Sequence, residues 1–448
     1  MKRTLQLLTL TLCCLIVLCM LVACAASAPL DGEIGSNPAF DKNGSLLDGW
    51  FGGSLKDEAE SLAPSAPMES PGGADMSYGE AADGEWGGSV SNDSFQHQAG
   101  QLTGAQWKDN DHFAEFAEKI NGQGNSWYDI AAKWNQVATK RIYVRVHNGS
   151  ELPIHLARVT LLDAKGNTIY AAVTDADGNA YLFYDLNRTL AGDAPASIHV
   201  VAQDGKTLTH TLEEGATDVT LALEAENAPL KLDVMFMIDT TGSMGDELEY
   251  LKAEMGDVIR RASGEDNISV RTSVNFYRDK GDEYELRYFD FREDVDEAVS
   301  LLAKQSAAGG GDYEEAVDTA LDFAINQERW DENAVKIMFL VLDAPPHYDA
   351  KTVSSINASI QKAAEMGIRI IPVASSGVDT TCQVLFRTWA AMTGGTYTYL
   401  TDHSGIGGSH QKPDVESEEV MPLNDLMVSI IQEYLYGSQS ESNPDAKQ

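Results

Sequence analysis

The chain has 448 residues, with 69 acidic against 32 basic side chains and a formal charge of −37. Such a surface repels nucleic acid and anionic lipid, and no local basic patch offsets it, so a nucleic-acid partner is excluded. The length accommodates two or three domains. A disulfide scaffold is also excluded, because Cys13, Cys14, Cys19 and Cys24 crowd the first residues and only Cys382 remains.

The chain opens on Met1-Lys2-Arg3, followed by the largely apolar run Leu5 to Val22 and then LVAC at 21–24. A basic head, an apolar core and a small residue before a cut describe an export signal over 1–23. The run is also long enough to span a bilayer, so a retained anchor is the competing reading. LVAC resembles the bacterial lipobox, which implies lipidation at Cys24, a mature N-terminus there and attachment to a bacterial membrane, on the cell's outer face or the periplasmic side. Cys382, the one cysteine left, reads as a small buried hydrophobe rather than a catalytic thiol.

Residues 25–104 carry thirteen acidic and two basic side chains with fourteen glycines. No stretch holds a helical or strand period, so 24–104 reads as a hydrated tether. Order is expected from about 105. Phe113, Phe116 and Ile120 fall at helical spacing, and Trp127, Tyr128, Ile130 and Trp134 follow. This Trp-rich segment, 105–138, is expected to pack on the next domain.

From Arg141 the period becomes two. IYVRVHN, HLARVTLLD, TIYAAVTD, AYLFYDL, ASIHVVAQD and DVTLALEA alternate between turn sequences such as DAKGN and DADGN. They predict a small all-β sandwich over 139–228. TDADGNAYLF resembles the turn region of carboxypeptidase regulatory-like domains. Asp175 and Asp177 offer a calcium reading there, but tight turns call for the same residues.

After AENAPL, apolar runs alternate with helical periods to 437. Strands are expected at 232–238, ISVRTSVNFY, YELRYFDF, VKIMFLVLD, IRIIPVAS and TYTYL. Helices are expected at 246–261, 293–303, 312–327, 351–366, 380–392 and 423–436. The pattern predicts an α/β domain over 231–437, an open and mostly parallel sheet with helices on both faces, before a flexible tail at 438–448.

In such a sheet, ligands sit beyond the carboxyl ends of the strands. Three loops fit that place. MIDTTGSMGDE at 237–247 ends the first strand with Asp239, Thr241 and Ser243. GGGDYEE carries Asp312 and Glu315, and Asp343 ends VKIMFLVLD. Carboxylates gathered without a basic partner repel one another, and a hard divalent cation relieves that repulsion through hydroxyl, carboxylate and water oxygens. Mg²⁺ fits best, with Mn²⁺ or Ca²⁺ as alternatives; the lack of histidine and thiolate argues against zinc.

DTTGS resembles the Asp-x-Thr/Ser-x-Ser signature of the metal-ion-dependent adhesion site in von Willebrand factor type A domains. That resemblance implies direct ligation by Thr241 and Ser243, water-mediated contact through Asp239 and Asp343, and a coordination sphere completed by an Asp or Glu of a protein partner. GGGDYEE lacks the threonine usual in the middle loop and looks more like the acidic variant of integrin β chains. Glu315 then faces the ion, with Asp312 a ligand or a neighbour of one; capping of a helix by Asp312 is the alternative. His347 is expected on a binding rim and Asp279 at the periphery.

The implied function is a non-enzymatic, lipid-anchored protein that binds a protein ligand through its cation. A structural role in the cell envelope that ignores the metal face is the second reading. Metal-dependent hydrolysis is the third, and an aspartyl phosphotransfer enzyme fails because Thr241 stands where its second acid is needed. Oligomeric state is left open.

Overall fold

The computed structural model describes residues 31–34 and 95–438, apart from 185, 187–193, 265–267 and 416–417. The chain divides into two units, and the second, 37–91, lies outside the described residues. The expected signal segment, Cys24, most of the expected tether and residues 439–448 lie outside them too.

In chain order the elements begin with β1 (Asp31–Ile34), β2 (Thr103–Trp107), α1 (Phe113–Asn121) and α2 (Ser126–Lys133). Seven strands follow: β3 (Lys140–His147), β4 (Arg158–Asp163), β5 (Thr168–Val173), β6 (Asn179–Tyr184), β7 (Pro195–Val201), β8 (Thr207–Thr211) and β9 (Asp218–Ala222). They make two sheets, ordered β6-β3-β9 and β5-β4-β7-β8, so an all-β region precedes the α/β one. Strand β8, TLTHT, is an addition to the expected set; only its alternate residues are half-buried, and a run so polar gives little apolar signal. In the turn before β6, Asp175 accepts the backbone N–H groups of Asp177 and Asn179 at 3.0 and 2.8 Å. Its carboxylate closes the turn, which accounts for its presence without a calcium ion.

The α/β region contains β10 (Lys231–Asp239), α3 (Leu248–Ser263), β11 (Ser269–Tyr277), β12 (Leu286–Phe289), α4 (Val295–Ala303), α5 (Val317–Asp322), β13 (Val335–Leu342), α6 (Ala350–Met366), β14 (Ile368–Ala374), α7 (Thr380–Thr393), β15 (Tyr397–Leu400), β16 (Met421–Pro422) and α8 (Leu423–Tyr436). Strands β11-β10-β13-β14-β15 are parallel. Antiparallel strands extend both sides, β12 and β1 on one and β2 and β16 on the other. The nine-stranded sheet is therefore mixed, with its parallel part at the centre.

Period-two alternation decides which helix covers which face. Met235 and Met237 of β10, with Met338 and Leu340 of β13, join a core that includes Val317, Ile356, Ile360 and Trp389 from α5, α6 and α7. Val234, Phe236 and Ile238, with Ile337 and Phe339, meet Leu251, Met255, Leu302 and Ile430 from α3, α4 and α8. A strand buried on both faces reads as continuously apolar for this reason. Cys382 lies in the first core, fully buried, and burial pushes its thiol up, away from reactivity.

Three expected boundaries are corrected. The helix expected from 312 begins at Val317, because 312–316 instead runs beside Pro345 and Pro346, with Glu315 N–H donating to Pro345 O at 3.0 Å. Asp312 therefore caps no helix. The expected tether contains a strand, β1, and its last residues, from Phe95, pack on the α/β region. Finally, 105–138 is not a separate segment, since β2 pairs with β15 inside the sheet. Arg387 of α7 also holds Asp109 through its Nε at 2.9 Å, both fully buried, and stacks over Trp127.

The segment from Phe95 is anchored by one buried carboxylate. Glu254 of α3, wholly enclosed, accepts the backbone N–H groups of Gly100, Gln101 and Leu102 at 2.7, 2.8 and 2.9 Å. Beside it the Phe95 ring lies where a side chain on Gly256 would stand, so a larger residue at that point of α3 would displace the ring. Removing an acceptor strands several buried donors at once. Glu254→Ala should therefore lower unfolding free energy by about 2–4 kcal/mol. It should also open 95–102 to protease in native buffer, a cleavage that Glu254→Gln should largely suppress.

Candidate functional site

Asp239 is the last residue of β10, so its backbone is fixed by pairing with Tyr277 of β11. The chain then turns sharply. Thr241 donates to Asp239 Oδ1 from both its N–H, at 2.8 Å, and its hydroxyl, at 2.7 Å, and the Thr241 and Ser243 hydroxyls lie 3.2 Å apart. Asp343 directly follows the neighbouring strand β13, which brings its carboxylate to the same end of the sheet.

Glu315 arrives through the loop that starts at Gly309. Gly309 and Gly310 have φ of +82° and +71°, which glycine adopts without strain. A side chain on Gly310 would stand 3.0 Å from Glu315 Oε1 and 3.3 Å from Thr241 Cβ. The loop can thus bring Glu315 and Thr241 together only with glycine there. Ser243, Asp312, Glu315 and Asp343 line one open cleft of about 370 Å³, with Tyr313, Ser376, Gly377, Gly408 and Ser409. All six residues expected at the site therefore converge, and they come from three separate loops.

Electrostatics sets this cleft apart. Asp239, Glu315 and Asp343 are 0, 2 and 3 % exposed. One oxygen of each, Asp239 Oδ2, Glu315 Oε2 and Asp343 Oδ1, is buried without a hydrogen-bond partner. None of the three is ion-paired with lysine or arginine among the described residues. Burial is the main cause that raises Asp239 above the usual carboxylate range, and Asp343 adds to it. Burial likewise raises Asp343, against the opposing pull of the Ser243 hydroxyl. Glu315 is pushed up to about 9 by burial, then by Asp239, Asp279, Asp343 and Asp282. Buried acids in this state are relieved by a proton or by a cation. Hydroxyl and carboxylate oxygens without a thiolate suit a hard divalent ion.

Beside the cleft lies a second group. The ligand atoms of Asp279, Asp312 and His347 fall within 4.8 Å of one another, a spacing that can hold a cation. His347 Nε2 lies 2.6 Å from Asp279 Oδ1. The rim histidine and the peripheral aspartate are thus partners, and Asp312 faces both them and the cleft.

One functional contact was not legible from local spacing. His410, in the loop after β15, sits between Glu247 and Asp402, with Nε2 2.8 Å from Glu247 Oε1 and Nδ1 2.8 Å from Asp402 Oδ1. Glu247 follows the Asp239 turn and also receives Ser376 N–H. The pair therefore fastens the loop carrying Gly408 and Ser409 to the wall of the cleft. The partners stand 163 residues apart, so no sequence window holds both.

Residues 233–406 match the von Willebrand factor A domain family. Among solved structures, a conserved hypothetical protein, BatB, from Bacteroides thetaiotaomicron is similar at 13% identity over 45% of this chain and 98% of that one, with a TM-score of 0.32. No curated protein matches. The chain thus carries a von Willebrand factor A-like α/β region behind an all-β region. Domains of this class generally serve as non-catalytic adhesion modules, in line with a binding role and without an enzymatic one.

The His410 latch has a pH signature. Burial pulls its pKa down, but Glu247 and Asp402 outweigh that and leave it above the ordinary 6.5. A raised folded value means that the latch's stabilisation is complete below pH 6.5 and fades as pH rises through the folded value. The difference in unfolding midpoint between native protein and His410→Asn should be largest near about pH 6 and shrink steadily toward about pH 9 in thermal scans.

Proposed function

We propose that this protein is an exported, lipid-anchored receptor that captures a protein partner through a divalent cation. The observation that carries the reading is the trio of buried, unpartnered carboxylate oxygens on Asp239, Glu315 and Asp343, set beside the hydroxyls of Thr241 and Ser243. A divalent cation there offsets two of the three negative charges and needs few protein ligands, which suits Mg²⁺ and its retained waters better than the larger Ca²⁺. In this reading Thr241 and Ser243 ligate directly, Asp239 and Asp343 act largely through water, and Glu315 faces the ion.

The open side of the cleft then offers a position to an acceptor from outside. Ser243 is exposed there, with Tyr313 and Ser376 around it. A carboxylate from the partner, Asp or Glu, suits a hard cation in that position. Export and lipidation rest on the first 24 residues of the sequence.

Calorimetric titration of Mg²⁺, Mn²⁺ and Ca²⁺ into the chain from residue 31 onward tests this. That start is needed because β1, β2 and the Glu254 contact belong to the same sheet and core. We expect saturable one-to-one binding that is lost in Asp239→Ala and weakened about tenfold or more in Thr241→Ala/Ser243→Ala. No binding by folded protein would leave the acidic cleft as a scaffold feature and favour an assembly role in the envelope. Partner capture that survives loss of the ion would reject the cation as the recognition element.

A further inference from the structure

The edge of the sheet reveals a path for the N-terminal segment that the composition of 25–104 conceals. Strand β1 pairs antiparallel with β12, from Asp31 opposite Phe289 to Ile34 opposite Leu286. Leu286 in turn stands opposite Tyr277, and Tyr277 beside Asp239. Ile34 is therefore level with the cation end of the sheet, and the chain enters travelling toward it. Its register sets Glu33 opposite Arg287. Without β1, strand β12 would be an unpaired edge.

Chain length then constrains the rest. Seven steps separate Cys24 from Asp31, a reach of about 25 Å at full extension. Asp31 itself stands three residues behind Ile34, about 10 Å from the cation end. Residues 35–94, by contrast, leave from one point of this domain and return to another, where Phe95 meets Gly256 and Glu254 grips Gly100 to Leu102. Both ends are fastened to the same core, so the length between them does not set the distance from Cys24 to the domain.

We propose that β1 is the point of attachment to the membrane: it clips the lipid-bearing N-terminus to the sheet edge and holds the domain close to the bilayer, at a distance that the length of 35–94 does not set. The proposal rests on the reading of Cys24 as lipidated, and it does not depend on the cation.

The test uses full-length lipidated protein in phosphatidylcholine vesicles that contain an acceptor-dye lipid. A donor dye is placed on His403→Cys, exposed just after β15 at the cleft end, while Cys382 is buried and unreactive. Inserting about 30 Gly/Ser residues after Leu62 should leave energy transfer unchanged, whereas a tether would lengthen and transfer would fall. Independently, Glu33→Cys/Arg287→Cys should oxidise to an intramolecular disulfide at least about fivefold faster than the off-register Glu33→Cys/Tyr288→Cys.

Transfer that falls with the insertion, or equal cross-linking of the two pairs, overturns the proposal. Failure of the chain to enter vesicles overturns its anchor half, and the ion titration is unaffected by that result. A null ion titration with unchanged transfer sinks the cation reading and upholds this one.

Discussion

Three carboxylates buried at one end of a sheet, with no basic side chain among them, are the constraint around which the domain is organised. Asp239 has no exposure at all, and its neighbours Glu315 and Asp343 have almost none. Burial disfavours their charged forms; Asp343 raises Asp239 further, and both raise Glu315. Such a cluster costs stability unless something neutralises it. The surrounding framework must be rigid enough to hold the acids together regardless. Parallel pairing of β10 with β11 and β13 supplies that rigidity for Asp239 and Asp343, and the Gly309-Gly310 turn supplies it for Glu315.

Elsewhere the protein treats buried charge differently. Asp109 is matched by Arg387, and Glu254 by three backbone N–H groups. Glu247 is matched by His410, and Asp279 by His347. In each case the partner comes from the chain itself, and the contact fastens a distant segment to the α/β core. The cleft acids differ from these four, each keeping one buried unpartnered oxygen at a single site, an arrangement that could hold a cation. A buried acid satisfied internally does structural work; one left with an unpartnered oxygen beside open hydroxyls is poised for an ion.

The regions before the α/β domain share in its core. Strand β2 completes the sheet beyond β15, and the aromatic residues Trp127 and Trp134 merge with the core beneath α7. Interior residues of the all-β region, such as Val144 and Leu161, belong to that same continuous core. Arg369 of β14 reaches across to Val173 O at 2.7 Å, a further tie between the two regions. The all-β region is thus a packed neighbour of the α/β domain.

The sequence alone determined what local periodicity and residue chemistry determine. The unbroken apolar run VKIMFLVL had to be a strand covered on both faces, and DTTGS at the end of another had to gather oxygen-bearing side chains at the sheet's carboxyl edge. Helices at 350–366, 380–393 and 423–436 were legible because their apolar spacing repeats over three or more turns. Tertiary structure decided what depends on long-range pairing. DGEI has little strand propensity and becomes β1 through the ladder with β12. QLTGAQW becomes β2 because β15 needs an antiparallel neighbour. Residues 312–316 leave the helix because Pro345 O takes the Glu315 N–H. The His410–Glu247 latch joins residues too far apart in sequence for any local signal, since a carboxylate and an imidazole carry no mark of each other until folding buries them together.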